Sequence, residues 1–407
     1  MSLKFTEVVQ ALEAKGIMPK TKPGLEKISG AVTQKSWFKN LDPKKIITVA
    51  GTNGKGTTCA CLESLLIGAG KRVGLYTSPH LIQTTERIRV QRLDITEERF
   101  CDLYQENLAI IESEHLSHFE SLTLMAADYF FSERFAQNLD YIIFEVGLGG
   151  TFDATNVFPN HYSVITALGL DHVDILGNTL VEVAQNKFGI IKSDNIVVHQ
   201  KLASELNDLK NNVQDKTKSL WVEVKNPVSN LPLNLIGPRA QLNAMTALTL
   251  FEKMGFSPAK HLESLSEVRW SGRMQKVFLK KYDLEIYLSG DHNPQGVDSL
   301  LEIIRAMPLK TNHFILGIGK DKKTNDMLKK ITAVPDAKIY LTETPFKGTA
   351  VADYPPEFRE LSHCSNSNIE KIFSFLKEQN LGSNDRIIVT GSLYLVGQVL
   401  RDHDLKT

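Results

Sequence analysis

The stretch Ile46–Arg72, IITVAGTNGKGTTCACLESLLIGAGKR, decides how this chain is read. A β-branched run, Ile46–Ala50, meets glycines at 51, 54 and 56, and an apolar segment of helix-forming residues comes next. That is the grammar of a strand, a tight turn and a helix whose N-terminal amides face the turn. The common phosphate-loop pattern G-x-x-x-x-G-K-[ST] is not met. Gly51 precedes Gly54 by three positions where the pattern wants five, and the hydroxyls Thr57 and Thr58 come one and two places late after Lys55. The physics survives the altered spacing. Successive N–H groups of Gly51, Thr52, Asn53, Gly54, Lys55, Gly56, Thr57 and Thr58 can turn inward on phosphate oxygens. Lys55 supplies a mobile positive charge for the outer phosphates, and Thr57 can reach a magnesium ion. The segment therefore predicts a nucleotide phosphate site.

Around this stretch the chain has 407 residues, 42% hydrophobic and 23% charged, with 26 Gly and 15 Pro, which predicts two soluble globular domains. Formal net charge is zero, so neither nucleic acid nor an anionic membrane is expected as a partner. No apolar run nears the ~20 residues of a membrane span. MSLKFTEVVQALEAKGI at the amino terminus reads as an amphipathic helix without a signal-peptide core. Cys59, Cys61, Cys101 and Cys364 lack zinc-ligand spacing and disulfide density, which predicts inert thiols and a cytoplasmic protein.

Short Val/Ile/Tyr-rich runs alternate with amphipathic stretches, the signature of parallel α/β units. Strands are predicted at Ile46–Ala50, Val73–Tyr76, Tyr141–Val146, Ser163–Leu168, Ile196–Val198 and Leu220–Val224, and helices at Thr58–Gly70, Thr96–Glu114, Leu122–Ala136, Val181–Ile190 and Gln241–Met254. Residues 201–230 read as peripheral structure. EVRWSGRMQ, Glu267 to Gln275, reads as a domain junction, and beyond it lies a second α/β series with strands at Leu284–Leu288, His313–Ile318, Lys338–Leu341 and Arg386–Val389.

Ligands of open parallel sheets bind beyond the carboxyl ends of the strands. There the sequence puts Lys55, Ser78, Glu145 and His172. Glu145 ends an otherwise apolar strand, DYIIFEV, and an acid buried there is costly unless paired or bound to metal. Oxygen donors with one imidazole suit Mg²⁺ or Mn²⁺ better than zinc. In the second series, SGDHNPQG (Ser289–Gly296) gathers Asp, His and Asn directly after a strand, whereas GKDKKT (Gly319–Thr324) reads as a solvated turn.

Taken together these motifs resemble the folylpolyglutamate synthase/dihydrofolate synthase family, a branch of the Mur ligase superfamily, across nearly the whole chain. The resemblance rests on GTNGKGTT (Gly51–Thr58), YTSPHL with ERI (Tyr76–Leu81, Glu86–Ile88), EVGLGG with DATN (Glu145–Gly150, Asp153–Asn156) and LDH with LG and T (Leu170–Thr179). KFGIIK (Lys187–Lys192), NA (Asn243-Ala244), SGR (Ser271–Arg273), HNP (His292–Pro294) and GSLYLVG (Gly391–Gly397) extend it. It implies an α/β fold, with a P-loop-containing parallel-sheet ATP-binding domain over residues 1–268 and a smaller Rossmann-like glutamate-ligase domain over 269–407. It also implies ATP-dependent ligation through an acyl phosphate, joining L-glutamate to dihydropteroate, to tetrahydrofolate, or to both. A Mur-type ligase acting on another carboxylate and a non-catalytic nucleotide-binding relative are the alternatives.

Carried over by position, Lys55, Glu145, His172 and Lys187 are the implied catalytic residues, and Thr57, Ser78, Glu145, His172 and Lys187 the implied ligands of one or two Mg²⁺ ions, for which Mn²⁺ can substitute. Lys187 falls where the family carries a CO₂-carbamylated lysine (N6-carboxylysine). Asn243, Arg273, Ser289, Asp291 and His292 join the Gly51–Thr58 loop at ATP. The implied folate contacts are Lys22, Pro23, Gly24, Leu25, Ser117, His118, Phe119, Glu120, Phe152, Asp153 and Ala154, and the implied glutamate contact is Ser392. Small-molecule substrates and a monomer are expected. The chain departs from the family's pattern at Ser289, usually Asp; at Asn186 and Phe188 around Lys187, usually Glu and Ala; at Arg239-Ala240, usually His-Gln; and at Thr151, usually Arg.

Overall fold

The computed structural model describes residues 4–16, 24–133, 138–226, 230–320, 322–379 and 381–405. The chain divides into two compact units, Met1–Leu233 with Leu242–Val268, and Asn234–Gln241 with Arg269–Thr407.

The first unit is built on β1 (Ile46–Ala50), β2 (Val73–Tyr76), β3 (Ile88–Val90), β4 (Leu93–Asp94), β5 (Tyr141–Glu145), β6 (Tyr162–Ile165), β7 (Ile196–His199) and β8 (Leu220–Glu223). They lie in the order β4-β3-β2-β5-β1-β6-β7-β8. β2, β5, β1, β6, β7 and β8 run parallel, and β3 is antiparallel to both its neighbours, β2 and β4. Every residue of β1 is buried, as a strand covered on both faces must be, which is why it reads as a continuous apolar run. The helix after it, Lys55–Gly68, is buried from Gly56 to Leu66, so its sequence shows no polar face. Glu63 within that helix pairs with Arg89 of β3 and accepts from Arg92 N at 3.2 Å, fastening the β3–β4 hairpin to it.

On the other side, Phe144 stacks on Phe158 with centroids 4.7 Å apart, and Trp37 and Phe131 close around them. Full burial of each such ring contributes about 2–3 kcal/mol. Asp128, buried beneath, is satisfied by Trp37 Nε1 at 2.8 Å, Asn107 Nδ2 at 2.9 Å and Lys35 Nζ at 3.0 Å.

The second unit holds β9 (Arg273–Leu279), β10 (Leu284–Ser289), β11 (Thr311–Leu316), β12 (Lys338–Leu341), β13 (Ser362–Ser365) and β14 (Asp385–Thr390), ordered β13-β12-β11-β14-β10-β9. All neighbours are parallel except β9, an antiparallel edge strand on β10.

Several element boundaries differ from those the sequence predicts. Part of the expected junction Glu267–Gln275 belongs to β9. The helix expected from Leu122 starts at His118, because Ser117 and Glu120 form a capping box. The strand expected to reach Leu168 leaves the sheet after Ile165, which frees residues 166–169 for other bonds. Cys59, Cys61 and Cys101 are buried and Cys364 partly so, all as free thiols. No helix among the described residues is long and apolar enough to cross a membrane.

Candidate active site

β1 lies between β5 and β6, so the loop after its last residue faces the ends of both. Thr52 N and Asn53 N donate to Ala167 O at 2.8 and 3.3 Å, and Thr52 Oγ1 donates to Gly169 O at 2.8 Å. Those bonds use the segment released by β6 to hold the loop. Gly54 takes φ +93°, and a Cβ there would run into the Asn243 amide, its Oδ1 first and its Nδ2 at 2.8 Å. Glycine is therefore required both for conformation and for space. Helix begins at Lys55, which places free N–H groups at the loop.

Two lysine amino groups converge on one carbonyl. Lys55 Nζ donates to Gly51 O at 3.2 Å, and Lys187 Nζ donates to the same oxygen at 2.9 Å. Lys187 comes from the helix Leu180–Phe188 and is 4% exposed. Burial first, then the charge of Lys55, lowers its amine to about 7. An anion arriving at the loop meets the charge of Lys55 and a second amine that it helps to protonate, so the pair suits a phosphate.

Glu145, the last residue of β5, is buried and accepts from Ser78 N at 3.2 Å through Oε2. Ser78 lies just beyond β2, the neighbour of β5. His172, at φ +51°, begins the short helix Val173–Leu176, and its N–H donates to Asp171 Oδ1 at 2.9 Å. Thr57 and Thr58 are buried in the first turn of their helix, and Thr58 Oγ1 has no hydrogen-bond partner. Among the described residues no three His, Cys, Asp or Glu side chains form a metal cage. One carboxylate with nearby hydroxyls fits Mg²⁺, which keeps its waters and takes its other oxygens from phosphates.

The expected folate residues are placed less uniformly. Lys22 and Pro23 lie outside the described residues; Gly24 and Leu25 precede the helix Glu26–Thr33. Ser117 and Glu120 bond each other in the capping box. His118 is buried and held near 3 by desolvation and then Arg87, so it is a neutral imidazole. The Phe119 ring lies on Gly147 and 5.9 Å from the Tyr76 ring. Asp153 is buried with both oxygens engaged, Oδ2 by Gly147 N and Leu148 N at 3.0 and 2.9 Å, Oδ1 by Thr155 N and Oγ1 at 3.0 and 2.6 Å. Its visible role is to build the Gly147–Thr155 loop. Ala154 is buried, while Phe152 is 44% exposed and lines a cavity of about 360 Å³ with Leu148, Leu176 and Asn186.

In the second unit, Ser289 is the last residue of β10, in register with Arg273 of β9. Its hydroxyl donates to Asp291 Oδ2 at 2.6 Å, so the two side chains share a face although Asp291 lies beyond the strand. His292 Nδ1 is 2.9 Å from Gly290 O. Arg239, which the sequence marks only as a departure from the family's pattern, donates to Gln295 O at 2.7 Å and feels the charges of Asp291 and Arg273. Ser392 caps the helix Leu393–Asp402, accepting from Tyr394 N at 3.1 Å, and its hydroxyl is 2.9 Å from Thr344 Oγ1. Gln200, to which no sequence signal points, is buried and bonded to Asn243 in the first unit.

A central parallel strand ends in a lysine-bearing phosphate loop, with a second lysine buried against it and an acid on the next strand, an arrangement suited to handling a nucleotide's phosphates. Residues 49–226 match the Mur ligase middle domain, and residues 273–402 match the dihydrofolate synthetase C-terminal domain. The chain is 31% identical over 395 residues, 87% of each sequence, to a protein of Haemophilus influenzae named dihydrofolate synthase/folylpolyglutamate synthase. Its fold matches Escherichia coli FolC in complex with DHPP and ADP, with a TM-score of 0.81 and 28% identity over 98% of this chain and 97% of that one. It also matches a bifunctional folylpolyglutamate synthase/dihydrofolate synthase with Mn, AMPPNP and L-glutamate bound, with a TM-score of 0.84 and 27% identity over all of both chains. The chain belongs to the dihydrofolate synthase/folylpolyglutamate synthase family.

Proposed function

We propose that this ligase joins L-glutamate both to dihydropteroate and to tetrahydrofolate. The observation that carries the ligase chemistry is the convergence of Lys55 and Lys187 on Gly51 O at the end of β1. The bifunctional name of its relatives supports the pair of acceptors. In this reading the loop Gly51–Thr58 holds ATP, and the acceptor carboxylate takes the terminal phosphoryl group. The amino group of glutamate then displaces phosphate, leaving an amide. Lys55 offsets charge on the phosphoryl group in transfer. Thr57, Ser78, Glu145 and His172 would hold Mg²⁺, which would supply further charge neutralisation.

Lys187 takes a particular part. An amine lowered to about 7 is substantially neutral at physiological pH and so able to add CO₂. The resulting carbamate replaces a cation with an anionic ligand. Residues 1–268 carry nucleotide and folate in this reading, with Phe119 and Phe152 as aromatic walls for the pterin. Residues 269–407 carry glutamate near Ser392, and Asp291 stands in for a carboxylate at Ser289.

The test is to incubate the chain with ATP, Mg²⁺, L-glutamate and one acceptor at a time, following phosphate release and product mass. One glutamyl unit gained on each acceptor is expected. Gain on a single acceptor removes the other activity. ATP binding without phosphate release in either arm overturns the catalytic reading.

A further inference from the structure

A cavity of about 360 Å³ opens among three segments that the catalytic reading also uses. Leu148 and Phe152 follow Glu145 in the loop after β5, and Ile175 and Leu176 follow His172 in the short helix Val173–Leu176. Asn186 precedes Lys187 in the helix Leu180–Phe188. The segments are tied to one another before any ligand arrives. Thr151 N and Oγ1 both donate to Asn186 O, at 2.8 and 2.9 Å. Gly149, at φ +73°, has no room for a Cβ between Asn186 Oδ1 and Leu176 Cδ2. Glu182 Oε2 accepts from Asn178 N, Thr179 N and Thr179 Oγ1 at 2.9, 3.0 and 3.0 Å, which fixes the carboxylate beside Gly177. Leu148, Phe152, Ile175 and Leu176 make the wall apolar, and the amides of Gln185 and Asn186 supply neutral polar groups. Glu182 brings a negative charge, and no Lys, Arg or His among the described residues lines the cavity. Lys187 turns its amine to Gly51 O instead. Of the lining residues, Phe152 alone is also an expected folate contact.

A cavity of about 150 Å³ already admits a benzene ring, so this one has space for a ring bearing substituents. In dihydropteroate the reacting carboxylate is bonded directly to the aminobenzoyl ring, so that ring must lie beside the reacting centre. In tetrahydrofolate the reacting group is the γ-carboxylate of a glutamyl residue, and the α-carboxylate remains as a second anion close by. An anion gains nothing from this lining, because it finds no cation there and faces the Glu182 carboxylate. We propose that the cavity seats the aminobenzoyl ring of dihydropteroate and disfavours tetrahydrofolate, with Glu182 as a specificity-determining residue. Both acceptors are ligated, with unequal KM. This rests on the reading of Glu145, His172 and Lys187 as the reacting centre.

The test measures kcat and KM for each acceptor at saturating ATP and L-glutamate, in the unaltered chain and in full-length Glu182→Gln, Gln185→Lys and Ile175→Phe, with Tm beside them. In the unaltered chain the KM for tetrahydrofolate should exceed that for dihydropteroate about three- to tenfold, a gap that narrows as salt rises. Glutamine keeps the capping box with Thr179 while removing the charge, so Glu182→Gln should shrink the gap about two- to fivefold. Gln185→Lys adds a cation at the exposed rim and should shrink it by a similar factor. Ile175→Phe narrows the ring seat without altering an expected folate contact, and should raise the dihydropteroate KM about tenfold. Equal or reversed KM values in the unaltered chain overturn the inference, as does a gap unmoved by salt or unmoved in both charge variants. So does an unchanged dihydropteroate KM in folded Ile175→Phe, or in Leu148→Phe should the first not fold. Ligation of dihydropteroate alone is the same preference at its limit. If neither acceptor is ligated, the proposed function fails and takes the inference with it. If ligation proceeds but any of the overturning results appears, the inference alone fails.

Discussion

The carboxyl ends of the two sheets solve the same geometric problem differently. Beyond β1, polar groups are aimed by the main chain: Ala167 O and Gly169 O hold the loop, and Gly51 O gathers two lysines. Beyond β10, polar side chains are tied to near neighbours instead, Ser289 to Asp291 and His292 to Gly290. The first end is held by main-chain bonds before any ligand arrives and carries two lysine amines beside the loop. The second has its polar groups already satisfied, so a ligand there must exchange one set of bonds for another. Loss of a side chain should therefore be severe at the first end and mild at the second.

Measurement can overturn that contrast. The largest effect is expected from Lys55→Ala or Glu145→Ala, each lowering kcat/KM for ligation by about 10³-fold or more while Tm changes little. Substantial activity in Glu145→Ala would mean its metal role is misassigned. Next comes Lys187→Met, expected to cost about 10²-fold in kcat. In the unaltered chain, activity in CO₂-depleted buffer should fall and return with bicarbonate, more readily at pH 8 than at pH 6, because the amine is freed as pH rises through about 7. Indifference to bicarbonate would remove the carbamate from the mechanism.

Lys187 also bears on stability. Between about 7 and its ordinary value near 10.5 the unfolded chain holds a proton that the fold does not. Its contribution therefore turns more favourable as pH rises across that window, which urea melts of Lys187→Met against the unaltered chain would register as a narrowing difference. Gly54→Ala ranks after it, with KM for ATP up about tenfold and stability down by about 1–3 kcal/mol from the left-handed backbone and the clash with Asn243. Asp291→Asn should be mildest, a two- to fivefold rise in KM for ATP. A loss there as large as that of Lys55→Ala would abolish the distinction between the sheet ends.

The first sheet end is largely legible in the sequence because its signals are local. A β-branched run, clustered glycines and a lysine lie within a dozen residues, and Glu145 is conspicuous as an acid closing an apolar strand. The features that escape such reading are either short or long-range. β3, β4 and β13 are strands of two to four residues, at a sheet edge or next to one, with no apolar run to mark them. β9 has alternating burial on an exposed edge, and its residues look like a linker. The start of the helix at His118 is available as the Ser117–Glu120 capping box, but the same residues also invite a reading as ligand contacts. Gln200 has no local signature at all. Its meaning comes from Asn243 and Thr246, more than forty positions away, and appears only when β7 and the helix Pro238–Lys253 are placed together.

The strand register carries a consequence for synthesis. β1 pairs Ile46 with Ile142 and Ile47 with Tyr162, partners about a hundred positions later, and non-local pairing of this kind is slow to form. As the chain emerges from the ribosome, an apolar strand with both edges open waits through the making of some hundred residues before either neighbour exists. Ala167, which anchors the loop, comes later still. The phosphate loop is thus made early in synthesis but gains its strand neighbours and its anchor only about a hundred residues later.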